Sequence, residues 1–511
     1  MRRPRWQHIT FLLIFSLILA TPVLAEKTSP AEDIPHDVTI TPEASPSERT
    51  AIKEEIEQAA EAIKPEDKSN IEFSGKYNLE TAVLKALEDN PSIEAARRGA
   101  TSAEESRKAA RGAFGPSLNT TYNATYAEPA STYGNHQNYQ WVTTVSQPIF
   151  TGFNILATYN SASLSARSEE YALGQAELNL IFIVQENFIN LLTARENVES
   201  AKDTVERLAS QLKVAQAFYD VGLKPRIDVL RAEAQLSEAE DTLLSAQNQV
   251  VIQEARLNTL LNLPVNSHVD YVGELAYFPF EQPLEVSLDI ASKLRPDLLI
   301  ARKATEIALE QVTIAESDFY PQISASYSIT KSGDQVVANG YKNNLRSTRV
   351  SQQILSGVIS WDLFSWGTTY YAATAAKQTV LASKASEANT WQEAAYEVKS
   401  RYLSITNAAK RIKVAEKTLA AAEEAYRMAV ARYQAQVGTN TDVLDAQADL
   451  SSAEASLISA RGDYMISVAS LYNATGNRVP DLTRGAKIEP VKSIDELEKT
   501  LEPDSSEPSD K

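Results

Sequence analysis

Long stretches of this chain carry apolar or small residues at alternating spacings of three and four. One series runs from Val184 to Tyr219, and a matching one runs from Val398 to Tyr433. Further series start at Val229 and Val443. A sustained average period of 3.5 is typical of helices packed in a coiled coil. The first series predicts a helix from Ile155 to Tyr219 that is roughly 100 Å long, at about 1.5 Å per residue. An ordinary helical bundle does not explain that length.

Four shorter segments alternate apolar and polar residues with the period of a β-strand. They span about 117–127, 139–150, 322–331 and 350–364. Each has one apolar face and one small polar face, which is the pattern of a membrane-spanning strand beside a wet lumen. A soluble hairpin packed on the helices is the alternative. Four spanning strands would leave open edges in the bilayer, so they would require several chains to share one barrel.

The chain contains an internal duplication. Phe114 and the Phe-x-Pro break around it match Phe319 and its break. An Asp-Val-Leu phrase after a Gly-containing break begins at Asp228 and again at Asp442. Each copy therefore predicts a helix, a strand pair, a very long helix, a tip turn and a further helix.

The ends of the chain have a different composition from the duplicated part. Residues 1–25 combine a basic start, a short apolar stretch and the small-residue site Val23-Leu24-Ala25, which is typical of a secretory signal peptide. A membrane anchor is the alternative, although the apolar stretch Ile9–Ala20 is short for a membrane span. The predicted organisation is a signal peptide at 1–25, a disordered acidic, Pro-rich extension at 26–76, a first repeat at 77–264, a second repeat with a connecting belt segment at 265–480, and an acidic disordered tail at 481–511.

Composition excludes several functional classes. The formal net charge is -18 and the chain has no cysteine. Such acidity argues against a nucleic-acid partner, and the lack of cysteine excludes disulfides, zinc thiolate sites and cysteine nucleophiles. The four histidines are scattered without metal-ligand spacing. We find no catalytic constellation, and we expect no enzyme activity, no cofactor and no metal site.

In combination these motifs resemble the TolC-like outer membrane factors, the outer membrane efflux protein family. They are the Asn-Pro opening at Asn90, the Phe-x-Pro breaks, the Gln-Pro-Ile-Phe phrase at Gln147 and the paired Val-Gly turns followed by Asp-Val-Leu. The resemblance covers about residues 77–480. It implies a mixed α/β fold, in which a long α-helical coiled-coil barrel continues four transmembrane β-strands per chain. Three chains would build one twelve-stranded barrel, with a belt near 79–90 and 263–294.

The same resemblance implies the function and the partners. The chain would be the outer membrane exit duct of a tripartite efflux or type I secretion system, embedded in outer membrane lipid and extending into the periplasm of a Gram-negative bacterium. Its partners would be a periplasmic adaptor and an inner-membrane pump or transporter ATPase. A soluble periplasmic coiled-coil scaffold or adaptor is the alternative from a different class.

The resemblance also assigns a periplasmic gate at the two tip turns. Asp442 and Asp445 would line the inner aperture, and Tyr433 with Asp228 would tie the second coil to the first. Read from the residues alone, Asp442 and Thr439 also fit an N-terminal capping box, so capping stays an open alternative for Asp442. Asp445 lies too far into the helix to cap it.

The turns themselves are the expected contact with the adaptor. The predicted contact residues are Gly222, Leu223, Lys224, Gly438 and Thr439. We expect both glycines to relieve the backbone of the turn.

The signal peptide leads to a first prediction. Cleavage after Ala25 should leave a mature chain that begins at Glu26, as read by mass spectrometry of the protein purified from the cell envelope. A chain in the envelope that still carries Met1 to Ala25 would contradict it.

Overall fold

The computed structural model describes residues 75–126, 128, 137–338, 341–343, 346–348 and 350–479. The predicted signal peptide, the predicted extension up to residue 74 and the predicted tail at 481–511 lie outside the described residues. Most of residues 128–138, between the first two predicted strands, and part of residues 332–349, between the last two, also lie outside them. Lys76, predicted to end the extension, already belongs to a short strand.

The described helices include two that are 67 residues long. In chain order the helices are α1 Leu79–Asp89, α2 Pro91–Gly112, α3 Asn154–Asp220, α4 Arg226–Leu260, α5 Leu284–Leu294, α6 Pro296–Glu316, α7 Thr368–Gln434 and α8 Asn440–Thr475. The long helix predicted from Ile155 to Tyr219 is confirmed as α3. Within the described ranges, no helix is both long and apolar enough to cross a membrane.

Each of the four predicted strand segments forms a strand of one antiparallel sheet. The described strands are β1 Lys76–Tyr77, β2 Ser117–Tyr126, β3 Gln137–Thr151, β4 Asp270–Tyr271, β5 Gln322–Gly333, β6 Tyr341–Asn343, β7 Arg346–Thr348 and β8 Val350–Ser360. The order in the large sheet is β2-β3-β5-β8. β8 ends at Ser360, short of the predicted end at 364. The sheet therefore has β2 at one edge and β8 at the other.

The apolar series forms the seams of two helical hairpins. α3 packs along α4, and α7 packs along α8. In the second hairpin the buried seam includes Val398, Ile405, Ala408, Ile412 and Ala415 of α7, with Leu457, Ala460 and Tyr464 of α8. The alternation of large residues with alanine lets the helix axes approach closely, as in knobs-into-holes packing.

The Asn-Pro opening of the duplicated unit has a local physical cause. Asn90 caps α2 because its side-chain oxygen accepts a hydrogen bond from the Ser92 backbone N–H at 2.9 Å. Its amide nitrogen donates to the Leu260 carbonyl at 2.9 Å, which ties the start of α2 to the end of α4. Pro91 fits the first turn, where no backbone donor is needed. One residue thus ends α1, starts α2 and anchors both.

A belt segment packs on the long helices beside this cap. β1 pairs in parallel with β4, so residues on either side of the first hairpin meet. Tyr271 of β4 is buried and donates its hydroxyl to the Asn258 side chain at 2.7 Å. α1 contributes Leu79, Ala82, Val83 and Ala86 to the same apolar cluster. The two belt segments expected from the resemblance thus contain α1, β4 and α5.

Two consecutive residues in the left-handed backbone region precede each of the two long helices, α3 and α7. Before α3 these are Gly152 (φ +61°) and Phe153 (φ +71°). Before α7 they are Trp366 (φ +53°) and Gly367 (φ +81°). The glycine and the aromatic residue have exchanged places. A Cβ at position 152 would lie 2.3 Å from the Ser317 carbonyl oxygen, which is why the first turn needs glycine there.

This close approach predicts the effect of substituting Gly152. Gly152→Ala should lower the apparent melting temperature in detergent, because it adds a backbone clash to the left-handed conformation. Gly222→Ala is the matched control: Gly222 has φ +74° and no atom within 4 Å of an added Cβ. The control should bear only the conformational cost of about 1–2 kcal/mol. Equal shifts in circular-dichroism melts at one heating rate would contradict the clash.

Candidate functional site

The candidate site is the pair of tip turns that close the two hairpins. The first tip joins α3 to α4 and the second joins α7 to α8, and the two lie side by side. Asn440 connects them. It is 1% exposed, accepts a hydrogen bond from the Gln211 side chain at 2.7 Å and donates to the Asp228 carbonyl at 2.9 Å. The structure thus brings the residues predicted from the two halves of the chain into one site.

The two tips have the same backbone hydrogen bonds. In the first, the N–H groups of Leu223 and Lys224 donate to the Phe218 carbonyl at 2.9 and 3.3 Å. In the second, the N–H groups of Val437 and Gly438 donate to the Arg432 carbonyl at 3.0 and 3.1 Å. Gly438 therefore corresponds to Lys224 in position, as the alignment of Asp228 with Asp442 also implies.

The expectation that both glycines relieve the turn is wrong for Gly438. The left-handed position is occupied by Gly222 (φ +74°) in the first tip and by Gln436 (φ +62°) in the second. Gly438 instead lies in a closely packed position, since an added Cβ would lie 3.2 Å from both the Arg432 Cβ and the Tyr433 backbone nitrogen. Glycine thus allows the left-handed backbone in the first tip and close packing in the second.

Lys224 crosses from the first tip to the second. Its ammonium donates to the Gly438 carbonyl at 3.3 Å and lies 5.4 Å from the centre of the Tyr433 ring, within the range of a cation–π contact. Phe218 packs against the same ring with centroids 5.4 Å apart. The Tyr433 ring of the second hairpin thus packs between Lys224 and Phe218 of the first.

The Tyr433 hydroxyl is buried and finds no hydrogen-bond partner among the described residues. Burial raises the pKa of this phenol, and the nearby Asp228 carboxylate raises it further. The predicted pair Tyr433 and Asp228 thus interacts electrostatically, without a hydrogen bond between these two described side chains. A buried donor without a partner costs about 1–3 kcal/mol.

Asp442 caps α8. Its carboxylate accepts a hydrogen bond from the Thr439 N–H at 2.9 Å, and the Thr439 hydroxyl accepts one from the Asp442 N–H at 3.1 Å. These bonds hold the pKa of the Asp442 carboxyl below its usual value, with a smaller contribution from Arg432. Asp445 is exposed one turn further along the helix. The capping interpretation left open for Asp442 is confirmed, and both carboxylates remain accessible to solvent.

Polar contacts also join the two hairpins, and the sequence did not predict them. Arg231 donates to the Thr441 hydroxyl at 2.8 Å. Higher up, the Thr204 and Ser451 hydroxyls are 3.0 Å apart, and Glu454 accepts from Arg207 at 3.1 Å. An apolar contact of Leu444 with Leu208 and Ala239 lies among them.

The outer surface of the first tip carries exposed apolar side chains. Val221, Leu223 and Ile227 are all exposed. Val437 is their counterpart on the second tip. Apolar residues in a basic setting with Lys224 offer a partner both contact area and charge. Within the described ranges, no group of three or more His, Cys, Asp or Glu residues is arranged to hold a metal.

Comparison with known proteins decides the family. The sequence profile described as outer membrane efflux protein matches residues 82–263 and 288–477. This chain belongs to the outer membrane efflux protein family. Members of this family are outer membrane channels rather than enzymes, and they act with adaptors and inner-membrane pumps. The chain is accordingly an outer membrane exit duct that extends into the periplasm, and a soluble periplasmic scaffold is not favoured.

Individual relatives are distant but extend over most of the chain. The alkaline protease secretion protein AprF of Pseudomonas aeruginosa is 24% identical over 76% of this chain and 82% of its own length. The outer membrane protein TolC of Vibrio cholerae is 22% identical over 80% of this chain and 94% of its own. The solved structure of VceC from Vibrio cholerae, at 20% identity, covers 78% of this efflux protein with a TM-score of 0.66 and 96% of its own chain. The structural likeness supports the fold.

The capping box of this efflux protein predicts a pH-dependent effect. Thr439→Ala should destabilise the first turn of α8 by about 1 kcal/mol, seen as faster amide hydrogen exchange there. Because the folded pKa of Asp442 is lowered, the carboxylate's contribution is present above its ordinary pKa and lost as pH falls through the lowered one. Asp445→Ala, one turn away, is the control and should leave this exchange unchanged. Equal effects of both substitutions would exclude the capping role.

Proposed function

We propose that three copies of this chain form one export duct, with a twelve-stranded β-barrel in the outer membrane and a tunnel of long helices in the periplasm. The single observation that carries the proposal is the open sheet β2-β3-β5-β8, in which β3 and β8 are each followed by a helix of 67 residues. A four-stranded sheet cannot close alone, and unpaired edge groups are not tolerated in lipid. If several copies close one barrel together, the backbone groups of both edge strands gain pairing partners.

Exposed aromatic residues indicate how such a barrel would be positioned in the membrane. Where the strands meet the helices, exposed aromatic side chains collect at one end of the sheet; they are Phe114, Phe153, Phe319, Tyr320, Trp361, Phe364, Trp366, Tyr370 and Tyr371. Aromatic girdles lie at membrane–water interfaces of outer membrane barrels. This end of the sheet would therefore lie at the periplasmic surface of the outer membrane, with the helices below it.

The tips would form the gate at the periplasmic end of this duct. In a ring of three copies, Asp442 and Asp445 would contribute six carboxylates to one aperture, where clustered charge focuses negative potential. The Tyr433 contacts would hold the hairpins together at rest. Gly222, Leu223, Lys224, Gly438 and Thr439 would be the surface on which a periplasmic adaptor docks.

The relatives differ in the kind of export for which they are named. AprF is named for secretion of a protease, whereas BepC of Brucella suis, 23% identical over 79% of this chain, is named as an efflux protein. We therefore propose an exit duct for a tripartite efflux or type I secretion system, with the inner-membrane pump or transporter ATPase selecting the substrate.

The gate gives the prediction that tests this function. In planar bilayers the purified protein should form cation-selective pores that multivalent cations block from the tip side. Asp442→Ala with Asp445→Ala should weaken both effects, since six carboxylates leave the aperture. Asp289→Ala is a matched control, because Asp289 is an acid on the belt helix α5.

Two outcomes would count against the proposal. Wild-type selectivity and block in the double variant would place the gate elsewhere, leaving Asp442 as a capping residue. No conductance, together with a monomer in detergent by light scattering, would refute the shared duct itself.

A further inference from the structure

One charged side chain interrupts an otherwise neutral sheet. Within the described strands β2, β3, β5 and β8, Lys331 is the single residue that carries a charge, although 23% of the whole chain is charged. Its side chain is exposed and makes no hydrogen bond or ion pair with a described residue. The face of the sheet that Lys331 occupies and its depth in the membrane decide what this ammonium meets.

The strand register places Lys331 on the apolar face of the sheet. Residues opposite each other in an antiparallel pair lie on the same face. Lys331 lies opposite Trp141 of β3 and Ser351 of β8, and Trp141 lies opposite Tyr122 of β2. Other rows of this face hold further exposed apolar side chains: Leu118, Val145, Tyr327, Leu355 and Ile359. An apolar face of this kind is the one that an outer membrane barrel turns to lipid.

The opposite face of the sheet has the composition of a wet lumen. It carries mostly small hydroxyl and amide side chains, among them Asn119, Thr121, Asn123, Thr144, Ser326 and Ser328. In addition, β5 is an inner strand of the sheet, so the pairing of edge strands leaves the apolar face of β5 uncovered. Lys331 therefore faces the membrane in the proposed barrel, and not the tunnel or a neighbouring copy.

The depth of Lys331 follows from the length of β5. Lys331 lies eleven residues after Tyr320, which belongs to the aromatic group at the periplasmic end of the sheet. An extended chain of this length spans roughly 36 Å at about 3.3 Å per residue. A strand tilt of about 40° leaves a height of roughly 28 Å, close to the apolar band of about 25 Å in outer membrane barrels. Lys331 thus lies at the outer boundary of the band, where a lipid-facing charge costs least.

Aromatic rings mark the same boundary. Tyr122 packs edge-on against Trp141 with ring centroids 6.2 Å apart and stacks on Tyr139 at 6.4 Å. The Trp141 indole donates to the Thr120 hydroxyl at 2.7 Å, which fixes its orientation. Such girdles lie at the membrane–water interfaces of outer membrane barrels. The row of Tyr122, Trp141 and Lys331 therefore combines ring surface with a cation at headgroup level.

The loop after β5 adds positive charge at this end of the sheet. The Tyr122 hydroxyl donates to the Val336 carbonyl at 2.6 Å, which ties the start of this loop to the aromatic row. Between positions 331 and 349 one acid, Asp334, stands against four basic residues: Lys331, Lys342, Arg346 and Arg349. The loop between β2 and β3 has the acid Glu128 and no lysine or arginine. In a chain with a formal net charge of -18, this basic stretch favours an anionic ligand.

We propose that Lys331 binds a phosphate group of an acidic, acylated glycolipid in the outer leaflet. Trp141 and Tyr122 lie against its sugars, and the apolar rows below them lie against its acyl chains. This rests on the proposed duct and adds a ligand site on its outer wall, one for each copy. An ammonium binds phosphate as a point charge, and the acyl chains cover the exposed apolar rows.

A free anion and a lipid without net charge both fit this surface less well. Free phosphate has no acyl chain, so it would leave the apolar rows beside Lys331 without contact. A lipid without net charge would gain little from the basic end of the sheet. The sequence of cation, aromatic rings and apolar wall along one face matches an amphiphile with a phosphorylated headgroup.

Lipid binding to the purified protein tests this site. Lipid A that carries its phosphates and lipid A from which they have been removed are titrated in detergent with divalent cations chelated, and bound lipid is counted by native mass spectrometry. The phosphorylated form should bind more tightly. Lys331→Gln should weaken its binding about tenfold, as expected for the loss of one charge-assisted hydrogen bond. Lys331→Arg should preserve it.

Lys384→Gln is the matched control. Lys384 is an exposed lysine on helix α7, so its substitution removes the same charge from a surface outside the proposed barrel. This variant should bind the phosphorylated lipid as the wild type does. An equal loss in Lys331→Gln and Lys384→Gln would mean that net charge determines binding, and it would overturn the proposal.

Two further results would also overturn it. Equal affinity for the phosphorylated and the dephosphorylated lipid would reduce the contact to apolar packing. Inorganic phosphate is added as a competitor in the same titration. If it displaced the lipid at an equal concentration, Lys331 would belong to a site for a free anion and not for a lipid.

The outcomes separate this site from the duct itself. A trimer by light scattering that conducts in planar bilayers but shows no preference for the phosphorylated lipid leaves the duct standing and refutes the site. A monomer without conductance refutes the duct and the site with it. Because Lys331 lies on the lipid-facing side of the sheet, Lys331→Gln should leave conductance and cation selectivity unchanged.

Discussion

The hydrogen-bonding groups of the sheet edges are the constraint on which the rest of the structure depends. β2 and β8 each present a row of N–H and C=O groups that the described residues leave without a strand. Such edges are hazards in water and are not tolerated in lipid. Two of the four strands, β3 and β8, are each followed by a left-handed turn and a helix of 67 residues. A partner that pairs the edges thereby also aligns the helices.

The two kinds of helix contact in this chain have different chemistry. Seams within a hairpin are apolar, as in the cluster of Val398, Ile405 and Tyr464. Contacts between hairpins near the tips are mostly polar, with Asn440, Gln211 and the Arg207–Glu454 ion pair between them. Apolar burial is lost only by exposing surface to water, whereas water can replace hydrogen bonds. Each hairpin is therefore a firm unit, and the contact between hairpins is the weaker one.

Much of the fold could be predicted from the sequence because the periods are long and repeated. A period of 3.5 held over many turns leaves one interpretation, and the alternating segments gave the four strands of the sheet to within a few residues. The tips were predicted less completely. Giving Gly222 and Gly438 the same role in the turn hid the fact that Gln436 takes the left-handed position. Polar contacts such as Gln211 with Asn440 depend on where two distant helices meet, and no local pattern encodes that.

The strength of the contact between the two tips can be judged from the free energies of its hydrogen bonds. A net hydrogen bond contributes about 0.5–1.5 kcal/mol, so the bonds from Gln211, Asn440, Lys224 and Arg231 together hold the hairpins by only a few kcal/mol. The Tyr433 hydroxyl, which has no hydrogen-bond partner among the described residues, subtracts from that sum. A ligand shifts a two-state equilibrium only by its differential affinity for the two states, and a few kcal/mol is within reach of a protein interface. Because Lys224 and Gly438 lie both in the contact between tips and on the predicted adaptor surface, a partner that binds there competes directly with the contacts that hold the hairpins together.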